Sequence, residues 1–337
     1  MAIDYRVRHE AVASKIGLYK HDQATRLAKT KELFAKRVHA VDIHCHSLFS
    51  DGVGTVEENH AVAKLAGLDF LFGTDHASLG QRGPLAQFPD ASWGQEPGAG
   101  LQHLGLLNNQ ELFTPGCGNL AADFAAAKAL APFVWVPHPA GWYPDVWYSD
   151  EQTAALWTLG DAFAMEVMNG ANKVVRAYDA FDAKAVELWD KLLHDGRRVT
   201  SVAGSDAHLP ECLGSVWTGV FSEALEPAPI IAALDAGRCF ASEAALLDFS
   251  CDGGPMGSTV AAGGKLRLSF RAADSAGLAS VRIVSDGKTL KEWAARNKPL
   301  LEGELVVPAK RRGGYFRLES VSADDRRAFS TPIYVRP

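Results

Sequence analysis

The chain has 337 residues, 47% hydrophobic and 22% charged, which is globular composition with room for one large domain and a smaller one. A net charge of −6 and a pI near 6.0 argue against a general nucleic-acid binder or a binder of anionic membranes. No run reaches membrane-spanning length, and the opening "MAIDYRVRHE" lacks the apolar stretch of a signal peptide. The five cysteines (Cys45, Cys117, Cys212, Cys239, Cys251) are odd in number and form no C-x-x-C pair, so a reduced cytoplasmic protein is expected.

Residues 1–36 are charged, with Ile16, Leu18, Leu27, Leu33 and Phe34 at helical spacing, and predict a surface helical arm of one or two helices. From 37 to about 250 short apolar runs alternate with helical stretches. The runs are "HAVDIH", "LDFLFGT", "HLGLLNNQELF", "FVWVPH", "AFAMEVMNG", "VTSVAGSD" and "SVWTGVF"; the helices are 56–66, 119–130, 171–195 and 227–236. This repetition predicts an α/β fold with a parallel sheet, and seven strands fit a closed (β/α) barrel better than a short open sheet. From 251 to 337, after a linker turn at "DGGPMGST", apolar and polar residues alternate between Gly, Asp and Lys turns, which predicts an antiparallel β-sandwich as an accessory domain.

The polar residues fall at strand ends. His44 and His46 end the first run, Asp75 and His76 the second, Glu111 the third, His138 the fourth, Glu166 and Asn169 the fifth, and Asp206 and His208 the sixth. In a parallel barrel these ends open on one face, which carries the site. A single strand-end histidine usually has a structural role, but six coincident ends point to a metal centre. In His44-Cys45-His46 the imidazoles share one side and Cys45 faces the other way. The turn at Asp51-Gly52 returns a carboxylate over the strand end. His44, His46, Asp51, His76, Glu111, His138, Asp206 and His208 exceed the needs of one ion. Two or three divalent ions (zinc, manganese or iron, with nickel and cobalt also suited) are expected, with Glu111 as the bridge. Asp75 either orients a ligand imidazole or caps the next segment. Arg82, Lys173 and Arg176 are cations suited to a phosphate or are solvated charges. Trp93, Trp142, Tyr143, Trp147 and Tyr148 suggest an apolar substrate wall, or loop packing, with Glu166 and Asn169 as polar positioners at the pocket.

H-x-H with S-D-G, then G-L-D-x-x-x-x-T-D-H, a strand-end Glu, H-P and G-S-D-A-H resemble, in that order, the polymerase-and-histidinol-phosphatase (PHP) superfamily over residues 38–245. The pattern looks most like its branch that includes carbaryl hydrolases. The resemblance implies a distorted seven-stranded barrel with a two- or three-metal centre, and hydrolysis mostly of phosphoesters, with some members cleaving carbamates or other esters. Catalysis is expected at Glu111, Asp206 and His208 through a hydroxide bridging the ions, and the loop and strand-end residues Arg82, Trp142, Tyr143, Glu166 and Asn169 are expected to touch substrate. One position departs from the pattern: where relatives have a histidine after the strand-three Glu, "TPGCGN" offers Cys117, either a thiolate ligand or a small loop residue. The expected function is a phosphoesterase acting on a small molecule, with no nucleic-acid or membrane partner and a homo-oligomer allowed. A carbamate or carboxylic-ester hydrolase with the same centre is the alternative, and a non-catalytic metal-stabilised binding domain the third reading.

Overall fold

The computed structural model describes residues 5–98, 101–116, 118–308 and 314–336, with side chains from residue 17 onward. Cys117 therefore lies outside the described residues. The arm is one helix, α1 (Tyr5–Phe34), and part of it is packed against the rest of the chain. Leu27 and Phe34 are buried, Lys20 Nζ donates to Leu213 O at 2.6 Å, and Arg26 pairs with Asp274 and Asp324. One helix thus ties the two halves of the chain together.

Six of the expected runs form strands here, and one strand, β3, lies outside them: β1 (His39–Asp42), β2 (Phe70–Gly73), β3 (Ala91–Gln95), β4 (Gly105–Leu107), β5 (Phe133–Val136), β6 (Ala162–Asn169) and β7 (Arg198–Gly204). Between them lie α2 (Val56–Leu65), α3 (Leu120–Leu130) and α4 (Ala180–His194). A capping box from Thr55 and Glu58 starts α2. The expected helix 171–195 begins only at Ala180, where Asp179 caps it.

The all-parallel expectation fails at two of the seven expected runs, those around 105–107 and 217–220. β1–β2–β3 and β5–β6–β7 are parallel, but β4 runs antiparallel to both β3 and β5. The third parallel strand is "ASWGQ", and the apolar run around 105–107 is the reversed one. Beyond the strand ends, β7 meets β1 in a parallel bridge between Cys45 and Ala207. Asp206 N donates to His44 O at 2.8 Å and His46 N to Ala207 O at 2.9 Å.

Lower down, that edge of β1 is taken by β8 (Trp217–Val220), which pairs antiparallel with it. After α5 (Pro227–Asp235), the sheet passes from β8 to β9 (Cys239–Ser242). The later strands are β10 (Leu246–Cys251), β11 (Lys265–Ser285), β12 (Lys288–Pro308), β13 (Gly314–Ser322), β14 (Arg327–Ser330) and β15 (Ile333–Arg336). β9 pairs antiparallel with β14, so strands of both halves join in one 17-stranded sheet. Of three apolar clusters, one spans both halves, with Leu27, Leu71, Trp217, Phe240, Phe249, Leu268 and Ile283 in it. No helix among the described residues is long and apolar enough to cross a membrane.

Candidate metal centre

The centre forms where the ends of β1 and β7 meet. Alternation along the first strand end sends His44 and His46 inward, while buried Cys45 turns its Sγ to Phe72 O at 3.5 Å and is not a ligand. The loop after His46 folds back tightly. Leu48 N donates to Gly54 O and Val53 N to His208 O, each at 2.9 Å. Gly52 is required there, since a Cβ would stand 2.5 Å from the His46 carbonyl. This fold carries Asp51 back over the strand end.

Six imidazoles and three carboxylates fall into three groups: His46, Asp51, His76 and His208; His44, His46, Glu96 and Asp206; and Glu96, His103 and His138. Glu96 joins the last two. Its Oε2 lies 3.1 Å from His44 Nε2 and 3.2 Å from His46 Nε2, while its Oε1 lies 2.8 Å from His138 Nε2 and 3.0 Å from His103 Nδ1. Asp206 Oδ1 is 3.1 Å from His46 Nε2 and 3.3 Å from His44 Nε2. Asp51, largely exposed, stands 3.4 Å from His208 Nε2 and 3.7 Å from both His76 Nε2 and His46 Nδ1.

Three imidazoles are held from behind. His44 Nδ1 donates to Glu166 at 2.8 Å, His76 Nδ1 to Glu96 O at 2.9 Å and His208 Nδ1 to Asp206 O at 3.0 Å. Each bond fixes the tautomer that leaves the Nε2 lone pair facing the centre. Glu166 also accepts from Trp135 Nε1, His138 N and Asn169 Nδ2, and Asn169 Nδ2 reaches Asp206 Oδ2 at 3.3 Å, so both are buried against the ligand set. Asp75 touches no imidazole. It accepts from Ser47 N, Ser47 Oγ and Ser50 Oγ at 2.7–2.8 Å and so shapes the loop that delivers Asp51.

Burial opposes charge throughout; mutual attraction overrides it at His44, His46 and His138, whereas at His76 burial prevails and pushes the imidazole down. Glu96, Asp206 and Glu166 hold His44 well above the usual imidazole range, and Asp206 and Glu96 raise His46 to about 9. Those imidazoles in turn hold Glu96 and Asp206 below the usual carboxylate range. Divalent ions fit this donor set. Imidazole with carboxylate is a zinc, manganese or iron combination, and the buried Nδ1 atoms of His46 and His138 have no hydrogen-bond partner. His138 and Asp206 also hold left-handed backbone angles, φ 28° and 48°, a strain that concentrates at functional sites.

Several expected site residues fall elsewhere. Glu111 is exposed on the loop after β4, and its backbone carbonyl, not its carboxylate, accepts a bond from Asn109. Glu96, at the end of β3, occupies the shared position assigned to it. His103 completes that group, the role considered for Cys117. Neither Glu96 nor His103 was among the expected ligands, although "GQEPGAGLQHLG" sets them seven residues apart across a glycine-rich loop. Arg82 stacks on Trp93 at 4.4 Å and bonds Gln110, away from the cluster. Lys173 pairs with Asp179. Of the aromatics, Trp142 packs 5.0 Å from His138 and 5.4 Å from His103, Tyr148 lies beside both Trp142 and His138, and Tyr143 is exposed. Trp147 stacks instead on Phe181 at 3.9 Å.

Among curated proteins none matches this chain. The family model described as PHP-associated matches residues 195–239, a span that contains Asp206 and His208. A two-domain protein from Bacteroides vulgatus containing a predicted PHP-like metal-dependent phosphoesterase is similar at 18% identity and a TM-score of 0.48, over 88% of this chain and 94% of that one. PsfC from Pseudomonas syringae is similar at 19% identity and a TM-score of 0.42, over 59% and 88%. The lesion-specific endonuclease PfuEndoQ from Pyrococcus furiosus is similar at 16% identity and a TM-score of 0.40, over 59% and 56%.

Proposed function

We propose that this protein is a metal-dependent hydrolase of the PHP type that cleaves an ester bond in a small molecule, a phosphoester first. The observation that carries the reading is Glu96, one buried carboxylate whose two oxygens serve two adjoining groups of imidazoles. Two or three divalent ions would be held by His44, His46, Asp51, His76, Glu96, His103, His138, Asp206 and His208. When bound, such ions acidify water and draw charge from an ester oxygen. Glu96 keeps neighbouring groups at a fixed separation, Glu166 sets the His44 tautomer, and Trp142 with Tyr148 shields the His103–His138 side from solvent. We read β1–β7 as the distorted seven-stranded barrel of that superfamily, supported by the junction of residues 43–46 with 205–208. A reducing cytoplasmic setting is supported by Cys45, Cys212, Cys239 and Cys251, all free and buried.

A second reading, hydrolysis of a carbamate or carboxylic ester as in the carbaryl-hydrolase branch, has its own support. Leu48, Phe49, Val53, Leu112, Tyr143 and Trp147 are exposed on loops that follow β1, β4 and β5, and they suit an apolar substrate body. The test is elemental analysis of the purified protein together with assays on p-nitrophenyl phosphate, bis-p-nitrophenyl phosphate and 1-naphthyl esters and carbamates. We expect two or three divalent ions per chain, and turnover that chelation removes and added metal restores. Turnover that survives both chelation and His46→Ala rules out the metal-hydrolase reading. Preference for naphthyl substrates over both phosphates selects the second reading.

A further inference from the structure

The loop after His138 is a small hairpin, and it ends in a hydroxyl whose hydrogen has no acceptor among the described residues. Residues Gly141–Trp142 and Val146–Trp147 pair antiparallel, and Tyr148 N donates to Ala140 O at 3.1 Å. Gly141 lets the chain turn this tightly: its φ is 107°, and a Cβ would lie 1.9 Å from Val146 O. The hairpin therefore brings Trp142 and Tyr148 back against the ligand that precedes it. The Tyr148 ring stands 6.2 Å from the His138 ring and 5.7 Å from Trp142, nearly perpendicular to the latter at 88°.

The phenol oxygen is buried, the His103 backbone N–H lies near it, its own hydrogen has no acceptor among the described residues, and it feels the charges of Glu96 and Asp206. Among the described residues, Tyr148 is the one tyrosine or tryptophan with a buried polar atom left unpartnered. The others have found partners: Trp135 donates to Glu166, Trp93 to Asn109 O, Trp189 to Val199 O and Tyr334 to Val199 O. Burying a hydroxyl unpaired is unfavourable, and native proteins rarely do so without a reason. Packing alone would have been served better by phenylalanine.

We propose that Tyr148 is a catalytic residue whose phenol O–H donates a hydrogen bond to the substrate oxygen that gains negative charge, on the His103–His138 side of the cluster. The proposal rests on reading the cluster as a hydrolytic centre, and it adds a donor supplied by the chain itself. The hydroxyl keeps its proton, and no bond to Tyr148 forms or breaks. Such a donor strengthens as charge develops, so it lowers the barrier more than it tightens the bound substrate.

The experiment compares the metal-loaded protein with its Tyr148→Phe variant, which keeps the ring and removes only the hydroxyl. Inorganic phosphate serves as the probe anion, titrated by calorimetry, with metal content and turnover of the ester panel measured on the same samples. We expect unchanged metal content, phosphate affinity about tenfold weaker, and kcat lower by ~10²-fold with KM little changed. Equal phosphate affinity in the two proteins overturns the proposal, as does phosphate binding by neither. A fall in metal content overturns it too, because Tyr148 would then act through the ligands. Weaker phosphate binding in the variant, with no ester cleaved by either protein, keeps Tyr148 as the anion donor and removes the hydrolase reading.

Discussion

Glu96 and Glu111 show what a single residue's surroundings decide. Both are carboxylates near strand ends, yet one is buried among five imidazoles and the other is exposed. Glu111 was the better candidate from sequence because the run before it is apolar, as a doubly covered parallel strand should be. The strand before Glu96, "ASWGQ", reads as polar. Its polar members are buried because each finds a partner: Ser92 donates to Asn108 Oδ1 at 2.7 Å, and Gln95 donates to Phe113 O at 2.7 Å while accepting from Asn109 and Phe113 N. Those partners lie 14–18 residues on, and no local pattern exposes them. The two glutamates separate cleanly in experiment. Glu96→Gln should lose bound metal and lower turnover by at least ~10²-fold, because it strips charge from the shared position. Glu111→Gln should stay within about twofold of wild type, as exposed substitutions do. Metal stoichiometry and kcat/KM on one set of samples check both.

At the scale of elements, the expected strands and helices are largely present, and their partners are where sequence reading ran out. The N-terminal helix is the clearest case. Its spacing predicted a surface arm, but Lys20 on it is buried against Leu213 O and Gln23. Burial pushes the Lys20 ammonium down from 10.5 to about 8. Between those values the unfolded chain holds a proton that the folded chain has released, so stability rises with pH across that window and is flat below it. The gain is at most ~3 kcal/mol. Urea denaturation of wild type and Lys20→Met at stepped pH should show the rise in wild type, and the difference between the two should narrow as pH climbs from about 8 towards 10.5. A constant difference would mean that Lys20 stays charged in place.

Over the whole molecule, packing and strand pairing continue across the change of texture at residue 250. β9 pairs with β14 through Phe240 and Ser330, α1 bonds Asp274 and Asp324, and buried Arg317 of β13 pairs with Asp190 of α4. The core cluster runs across the boundary, with Phe240 and Phe249 packed among later strands. A chain ending at residue 250 would uncover those phenylalanines and leave an edge of β9 unpaired. It should be insoluble or lack a cooperative transition, whereas the full chain should unfold in one step. Solubility and calorimetric melting distinguish the outcomes.

The sequence by itself determined the chemistry of the site: imidazoles and carboxylates at i and i+2 on strand ends, glycine where the chain must turn under His46, and a set of ligand types suited to divalent ions. These are local features, set by side-chain alternation and backbone sterics, and they survive in a one-dimensional reading. Only the tertiary structure decided which glutamate stands at the junction, that His103 completes its group, that Glu166 works from behind His44, and that the hairpin packs Tyr148 against His138. Each of these depends on contacts between residues far apart in the chain, where burial makes an unpaired polar group costly and so selects the partner.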